Sequence, residues 1–424
     1  MTQPISPSPV WHPFTQHALE GGMPEIARAN GAWLTAANGQ RIFDGISSWW
    51  VITHGHCHPD IVAAIQKQAA ALDQVIFAGF THEPAERVAH DLLSFVPKGL
   101  AHVFFSDSGS TAVEVALKMA LGYWRNIGEH RRTRILALEH AYHGDTVGTM
   151  STGARGVFNA AYEPLLFDVG RIAFPRGASR QPTLDALERQ CKTGTVAALI
   201  VEPLICGAGG MLIYNETALA EMARICAAYG VLLIADEVMT GFGRTGAMFA
   251  CQRAGVAPDI LCLAKGLTGG SIPLAATLCR GEIYQAHYSS DRAKTFFHSS
   301  SFTANPIACA SAAANLEIWR SADVERRIAV LAEAHETLLQ DLSKDARFAN
   351  ARQIGTIAAI DLNVDDAGYL ANAGLAMRKA FLARGVFLRP LGNTIYIMPP
   401  YCTTQAELAE VYAAIASVAR EVLP

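Results

Sequence analysis

Apolar positions change their period along the chain, and the period predicts the elements. DIVAAIQKQAAAL from Asp60 and EPAERVAHDLLSFV up to Val96 repeat apolar residues every three or four positions, which predicts helices buried along one face. Short continuous apolar runs then take over: HVFFSD, RILALE, VAALIVEPL, GVLLIADE and PDILCLAKG. Helical stretches such as STAVEVALKMALGYW and ETALAEMARICAAYG separate several of them, and the second ends on Gly230, a candidate C′ glycine. Strands apolar on both faces that alternate with helices predict an α/β fold with a mainly parallel sheet between helices. Ligands bind such sheets beyond the carboxyl ends of the strands.

Both ends of the chain read differently. IARANGAWLTAANGQRIFDG sets Asn30-Gly31 and Asn38-Gly39 between short runs carrying Trp33, Leu34, Ile42 and Phe43. That predicts a small antiparallel meander with type I′ turns, which need two positive φ angles each. From about Pro306 the texture becomes helix-rich, with VERRIAVLAEAHETLLQDL, QAELAEVYAAIASVAREVL and, between them, strand-like TIAAIDL, GVFLRP and NTIYIMPP. The expected partition is an N-terminal segment 1–50 packed with a small α+β domain 311–424, and a large domain 51–310.

Composition narrows the classes. A length of 424 residues suits two to three domains at roughly 150 residues each, and 51% hydrophobic against 17% charged residues excludes a disordered chain. The net charge of -4, with no run of five like charges, argues against nucleic acid or a membrane surface as partner. No lysine or arginine precedes Arg28 and no long uninterrupted apolar stretch occurs, so a cytoplasmic protein is expected. The 9 cysteines stand singly, without a C-x-x-C pair, as in a reduced compartment.

Two strand ends carry candidate chemistry. GVLLIADE finishes on Asp236 and Glu237, and DILCLAKG puts Lys265 just past another strand. Partial burial at a sheet rim lowers the pKa of an amine and makes it nucleophilic, which suits condensation with an aldehyde. Pyridoxal phosphate (PLP) needs such a lysine together with a carboxylate opposite its ring nitrogen, a role open to Asp236. FFSDSGSTAVEVALKMA passes from strand to helix through Asp107, Ser108, Gly109, Ser110 and Thr111, a helix N-terminus able to hold phosphate. Tyr142 offers a ring to stack, and Glu202 ends a further strand. Taken singly, Asp236 reads as a loop cap, Lys265 as a turn residue and Ser108 as an ordinary N-cap.

DSGSTAVEVALKMA, HAYHGDT, VEPLICGAGGM, LLIADEVMTGFGRTG, PDILCLAKGLTGG and SFTANP resemble, in order, the signature blocks of class III aminotransferases, PLP enzymes of fold type I. The resemblance spans nearly the whole chain. It implies a homodimer with shared active sites, and cofactor contacts from Ser108, Gly109, Ser110, Tyr142, His143, Glu202, Ser300 and Ser301, the last where relatives usually have Thr. WHPFTQ, DGISSWW, YHGD, GFGRTG and RPLGNTIYIMPPY further resemble a branch acting on a long amino-oxo acid. That likeness implies a substrate pocket from Phe14, Trp49, Trp50, Tyr142, Asp145, Arg244 and Arg389, with Arg389 on the acceptor carboxylate. An apolar tunnel ending in a guanidinium suits such a molecule. Relatives usually carry Tyr where this chain has Phe14, and losing one hydrogen bond costs about 0.5–1.5 kcal/mol, so the amino donor stays open.

Other motifs compete. GFGRTG matches G-x-G-x-x-G, but Asp236 to Thr240 intervene after the strand and no clear helix follows. LLIADE looks like a Walker B strand, yet the chain has no G-x-x-x-x-G-K-[ST]. THGHCHPD gathers His54, His56, Cys57 and His58 without a second ligand cluster, and reads as an ordered loop before a helix at Pro59 and Asp60; no metal is expected. Three alternatives to the branch activity remain: a class III transaminase for ω-amino acids or diamines, a nicotinamide dehydrogenase, and a non-catalytic protein of the same fold.

Overall fold

The computed structural model describes residues 9–19, 22–177, 179–364 and 372–422. Strands β1 (Ile26–Asn30), β2 (Trp33–Ala36) and β3 (Arg41–Asp44) form the antiparallel meander. Its turns are not type I′: φ is positive at Gly31 and Gly39 but at neither Asn30 nor Asn38. Asn38 instead uses its side chain, accepting from the Gln40 amide at 3.0 Å.

The alternating middle of the chain supplies β4 (Leu100–Ser106), β5 (Arg134–Leu138), β6 (Gly170–Ile172), β7 (Val196–Val201), a small hairpin of β8 (Ile205–Cys206) and β9 (Leu212–Ile213), then β10 (Leu232–Asp236), β11 (Ile260–Leu263) and β12 (Ala275–Arg280). Seven of these build one sheet in the order β4-β12-β11-β10-β7-β5-β6. The pairs β5–β6, β5–β7, β7–β10 and β10–β11 are parallel, whereas β12 pairs antiparallel with both β4 and β11. All six residues of β7 are buried, as expected of a strand covered on both faces. Gly230 has φ +61 just beyond the helix Glu216–Ala228, the left-handed position of a C′ glycine.

Farther on, β13 (Phe348–Ile354), β14 (Ile357–Leu362) and β16 (Thr394–Ile397) make a three-stranded antiparallel sheet, and β15 (Val386–Phe387) pairs parallel with β3. The meander therefore shares one sheet with the C-terminal region. Among the described residues, no helix is long and apolar enough to cross a membrane.

Candidate active site

Three adjacent parallel strands end at one edge, and register decides which side chains meet there. Val201 pairs with Ala235 and Asp236 pairs with Cys262, so Glu202 falls beside Asp236 while Lys265 follows closely after β11. These residues line a cavity of about 390 Å³ together with Trp50, Ser108, Gly109, Ser110, Tyr142 and His143.

Asp236 is buried, and its Oδ2 accepts from His143 Nδ1 at 2.7 Å while Oδ1 accepts from the Val238 amide at 3.2 Å. His143 thus carries a proton on Nδ1, and its buried Nε2 has no partner among the described residues. Lys265 is half-buried at the cavity, with Nζ 4.6 Å from the centre of the Trp50 ring. Burial pushes its amine down to about 8, against the opposing pull of Asp236 and Glu202. Burial pushes Glu202 the other way, up to about 7, although its oxygens accept from the amides of Tyr142 (2.9 Å) and Gly207 (3.0 Å). The Tyr142 phenol is raised by burial first and by nearby Asp145 second, and stays neutral.

The helix Gly109–Asn126 opens on the cavity. Ser108 is its N-cap, accepting from the Thr111 amide at 3.1 Å. Gly109 and Ser110 line the cavity, and amides of a first helical turn have no intrahelical carbonyl to reach. A Cβ on Gly109 would lie 2.6 Å from Val238 Cγ1, so only glycine lets this turn approach the segment after Asp236. Gly144, at φ +132, is pressed likewise against Ser110.

An aromatic mouth adjoins this edge. Ser47, Ser48, Trp49 and Trp50 all have positive φ (53°, 48°, 80° and 73°), a left-handed turn that L-residues adopt only under constraint. Ser48 donates from both amide and hydroxyl to Asp44, Ser47 Oγ donates to Met398 O, and Trp50 Nε1 donates to Tyr396 Oη. The turn sends Trp50 inward, 5% exposed, and Trp49 outward, 38% exposed. Trp49 meets Phe14 edge-on at 5.5 Å between ring centres, and the Arg389 guanidinium lies 5.2 Å from its ring while donating to Phe14 O at 2.6 Å. Phe158 bridges Phe14 (6.0 Å) to Tyr142 (6.4 Å). No motif in the sequence singles out Phe158. Tyr142, Gly144, Asp145 and Phe158 line a second cavity of about 180 Å³.

Other expected site residues do not line the cavity. Arg244, expected at the substrate, is 1% exposed and off the cavity lining: it donates to the carbonyls of Pro399 (2.9 Å), Ile52 (2.7 Å) and Trp50 (3.4 Å). Its two terminal nitrogens clamp backbone, while the buried Nε has no partner among the described residues. Ser300 and Ser301 do not line the chain's own cavity, and Ser301 is exposed. The imidazoles of THGHCHPD take separate partners: His56 bonds Asp44 at 2.8 Å, His54 bonds Asn315 at 2.9 Å, and His58 meets His54 only ring to ring, 6.0 Å between centres. Among the described residues, no cluster of three His, Cys, Asp or Glu fits a metal.

Residues 19–419 match the family model for class III aminotransferases. The chain belongs to that family. It is 50% identical to the adenosylmethionine-8-amino-7-oxononanoate aminotransferase of Synechococcus elongatus, over 97% of this chain and 99% of the relative. The enzyme of that name from Geobacter sulfurreducens is 39% identical over 94% and 93% of the two chains. Among solved structures, the Methanocaldococcus jannaschii enzyme of the same name superposes with a TM-score of 0.93 at 33% identity, covering 97% of each chain. A PLP-bound amine transaminase from an uncultivated Pseudomonas species gives 0.90 at 34% identity, covering 98% of each.

Proposed function

We propose that this chain is a PLP-dependent transaminase that moves an amino group from S-adenosylmethionine to 8-amino-7-oxononanoate, giving 7,8-diaminononanoate for biotin synthesis. The observation that carries the reading is the strand-end triad, Glu202, Asp236 and Lys265 at or just past the ends of neighbouring strands, facing a helix N-terminus across one cavity. These residues fit the cofactor: the orphaned first-turn amides suit a phosphate, buried Asp236 suits a ring nitrogen, and Gly109 keeps the two close. When bound, PLP supplies an aldehyde that condenses with amines and a ring that takes up the electrons of a breaking C–H bond.

The chain's own residues do the rest. Lys265 Nζ, titrating near 8, is partly uncharged at neutral pH, so it takes the proton from the donor's amine-bearing carbon and later returns one to the former oxo carbon of the acceptor. Asp236, oriented by His143 and the Val238 amide, holds a proton at the ring nitrogen. Tyr142 offers a ring face, with its backbone fixed on Glu202. Trp49 and Trp50 wall the aliphatic chain of the acceptor, and Arg389 pairs with its carboxylate.

The protein works as a homodimer in which Ser300 and Ser301 serve the partner's phosphate. Ser301 is joined to the 74–80 segment by Gln74 Nε2 at 2.8 Å, and Phe297 (70%), Phe302 (61%), Ile76 (63%) and Phe80 (63%) stand exposed around it. Large apolar side chains gathered on a surface favour a protein partner. A fully active monomer in sedimentation would overturn this arrangement.

Phe14 makes the donor the open specificity. Incubating the enzyme with 8-amino-7-oxononanoate and a panel of S-adenosylmethionine, lysine, alanine and diamines should give product fastest with S-adenosylmethionine. Faster turnover with a diamine or an ω-amino acid, and none of the oxononanoate, would support the amine-transaminase reading instead.

A further inference from the structure

Lys265 has φ +44, a left-handed backbone that a non-glycine residue holds only when its surroundings impose it. It opens a single 3₁₀ turn, Lys265–Thr268, in which Gly266 O accepts from the Gly269 amide at 3.0 Å and Thr268 O from the Ser271 hydroxyl at 3.0 Å. The helix Pro306–Ser321 adds side-chain donors to the carbonyls of this turn. Asn315 Nδ2 donates to Gly266 O and Leu267 O, both at 3.0 Å, and Ser311, one turn earlier, donates to Thr268 O at 3.2 Å. With both amide hydrogens spent, the Asn315 Oδ1 must accept from His54 Nε2 at 2.9 Å. Asn315 is fully buried, His54 is 4% exposed, and the other imidazole nitrogen, Nδ1, has no partner among the described residues. The carboxamide therefore has one orientation, fixed by an imidazole from the far side.

From this geometry we infer that Asn315, oriented by His54, is a positioning residue that holds the Lys265 turn in its left-handed form and so sets where the amine stands. His54 is suited to be a constant donor: burial pushes it down to about 3, so it stays neutral across working pH. The amine's surroundings are Asp236, Glu202, Arg244 and Asp145, with the Trp50 ring beneath it. A relaxed turn would take Nζ out of that set and change its basicity.

The proposal rests on Lys265 being the reactive amine, and its test does not depend on turnover. In the cofactor-free protein, the pH profile of Lys265 acylation by an amine-directed reagent, read by mass spectrometry, should shift upward by about half a unit or more in Asn315→Leu. It should shift the same way in His54→Leu and return to the parent profile in His54→Gln, whose amide restores a donor near Nε2. With cofactor loaded, kcat should fall about tenfold while KM stays within about twofold. Parent-like acylation profiles in both leucine variants, with only melting temperature lowered, would overturn the inference. If Asn315→Leu does not fold, the His54 pair decides it alone. A parent enzyme that binds no PLP would defeat the proposed function and leave the acylation result standing.

Discussion

Two walls of the site, one lining the cavity and one forming the aromatic mouth beside it, are built by different means. The wall of Glu202, Asp236 and Lys265 stands on a backbone ladder in which register between adjacent strands fixes where the strand ends fall, with Lys265 carried on the turn just beyond β11. The wall of Phe14, Trp49, Trp50 and Arg389 joins pieces from the two ends of the chain through ring contacts and single hydrogen bonds, around a turn with four positive φ angles. A ladder tolerates little change, whereas ring contacts can be replaced one at a time. The proposed function places reaction chemistry on the first wall and choice of substrate on the second.

Substitutions should separate the walls by kind of damage as well as by size. Lys265→Ala is expected to remove the visible absorbance of the bound cofactor and to lower turnover at least about a thousandfold; full transamination in this variant would reverse the assignment. Asp236→Asn should keep the cofactor while kcat falls about a hundredfold, since a neutral amide cannot hold the ring proton, and cofactor titration with steady-state kinetics reads both. On the other wall, Arg389→Ala should raise KM for the oxo acid about tenfold to a hundredfold and leave carboxylate-free acceptors nearly unchanged. Equal losses would move carboxylate recognition elsewhere.

The smallest effect is one of pH. Glu202, raised from 4.5 to about 7, keeps its proton in the folded protein where the unfolded chain has released it. Its stabilising contribution is full below pH 4.5 and is lost as pH rises through about 7. Lys265 has the opposite sign: lowered from 10.5 to about 8, it makes stability rise with pH between those values. In the cofactor-free protein, Glu202→Gln should flatten the decline of melting temperature between about pH 5 and 7. An unchanged slope would place the buried proton on another group.

Legibility in the sequence follows the same division. GVLLIADE and PDILCLAKG announce buried parallel strands through uninterrupted apolar runs, and the residues just past them fall at the carboxyl edge by topology alone. The left-handed turn in DGISSWW leaves no such trace, because its φ angles are imposed by Asp44, Met398 and Tyr396 from outside it. Arg244 sits in a stretch that resembles a specificity motif, and only its carbonyl partners reveal the clamp. β12 escapes notice because AATLCR is short and rich in small residues, yet it joins β4 to β11 and completes the sheet.

The shared sheet of β3 and β15 carries a consequence for how the chain is made. Trp33 Nε1 donates to Glu407 Oε1, 374 positions later, and β3 has its parallel neighbour only when Val386 has been synthesised. On the ribosome the meander must therefore wait with an open edge while the seven-stranded sheet condenses, a contact order that slows completion and exposes a strand to stray pairing. A chain cut short before β15 would leave that edge bare, and its fate would be aggregation rather than a smaller working enzyme.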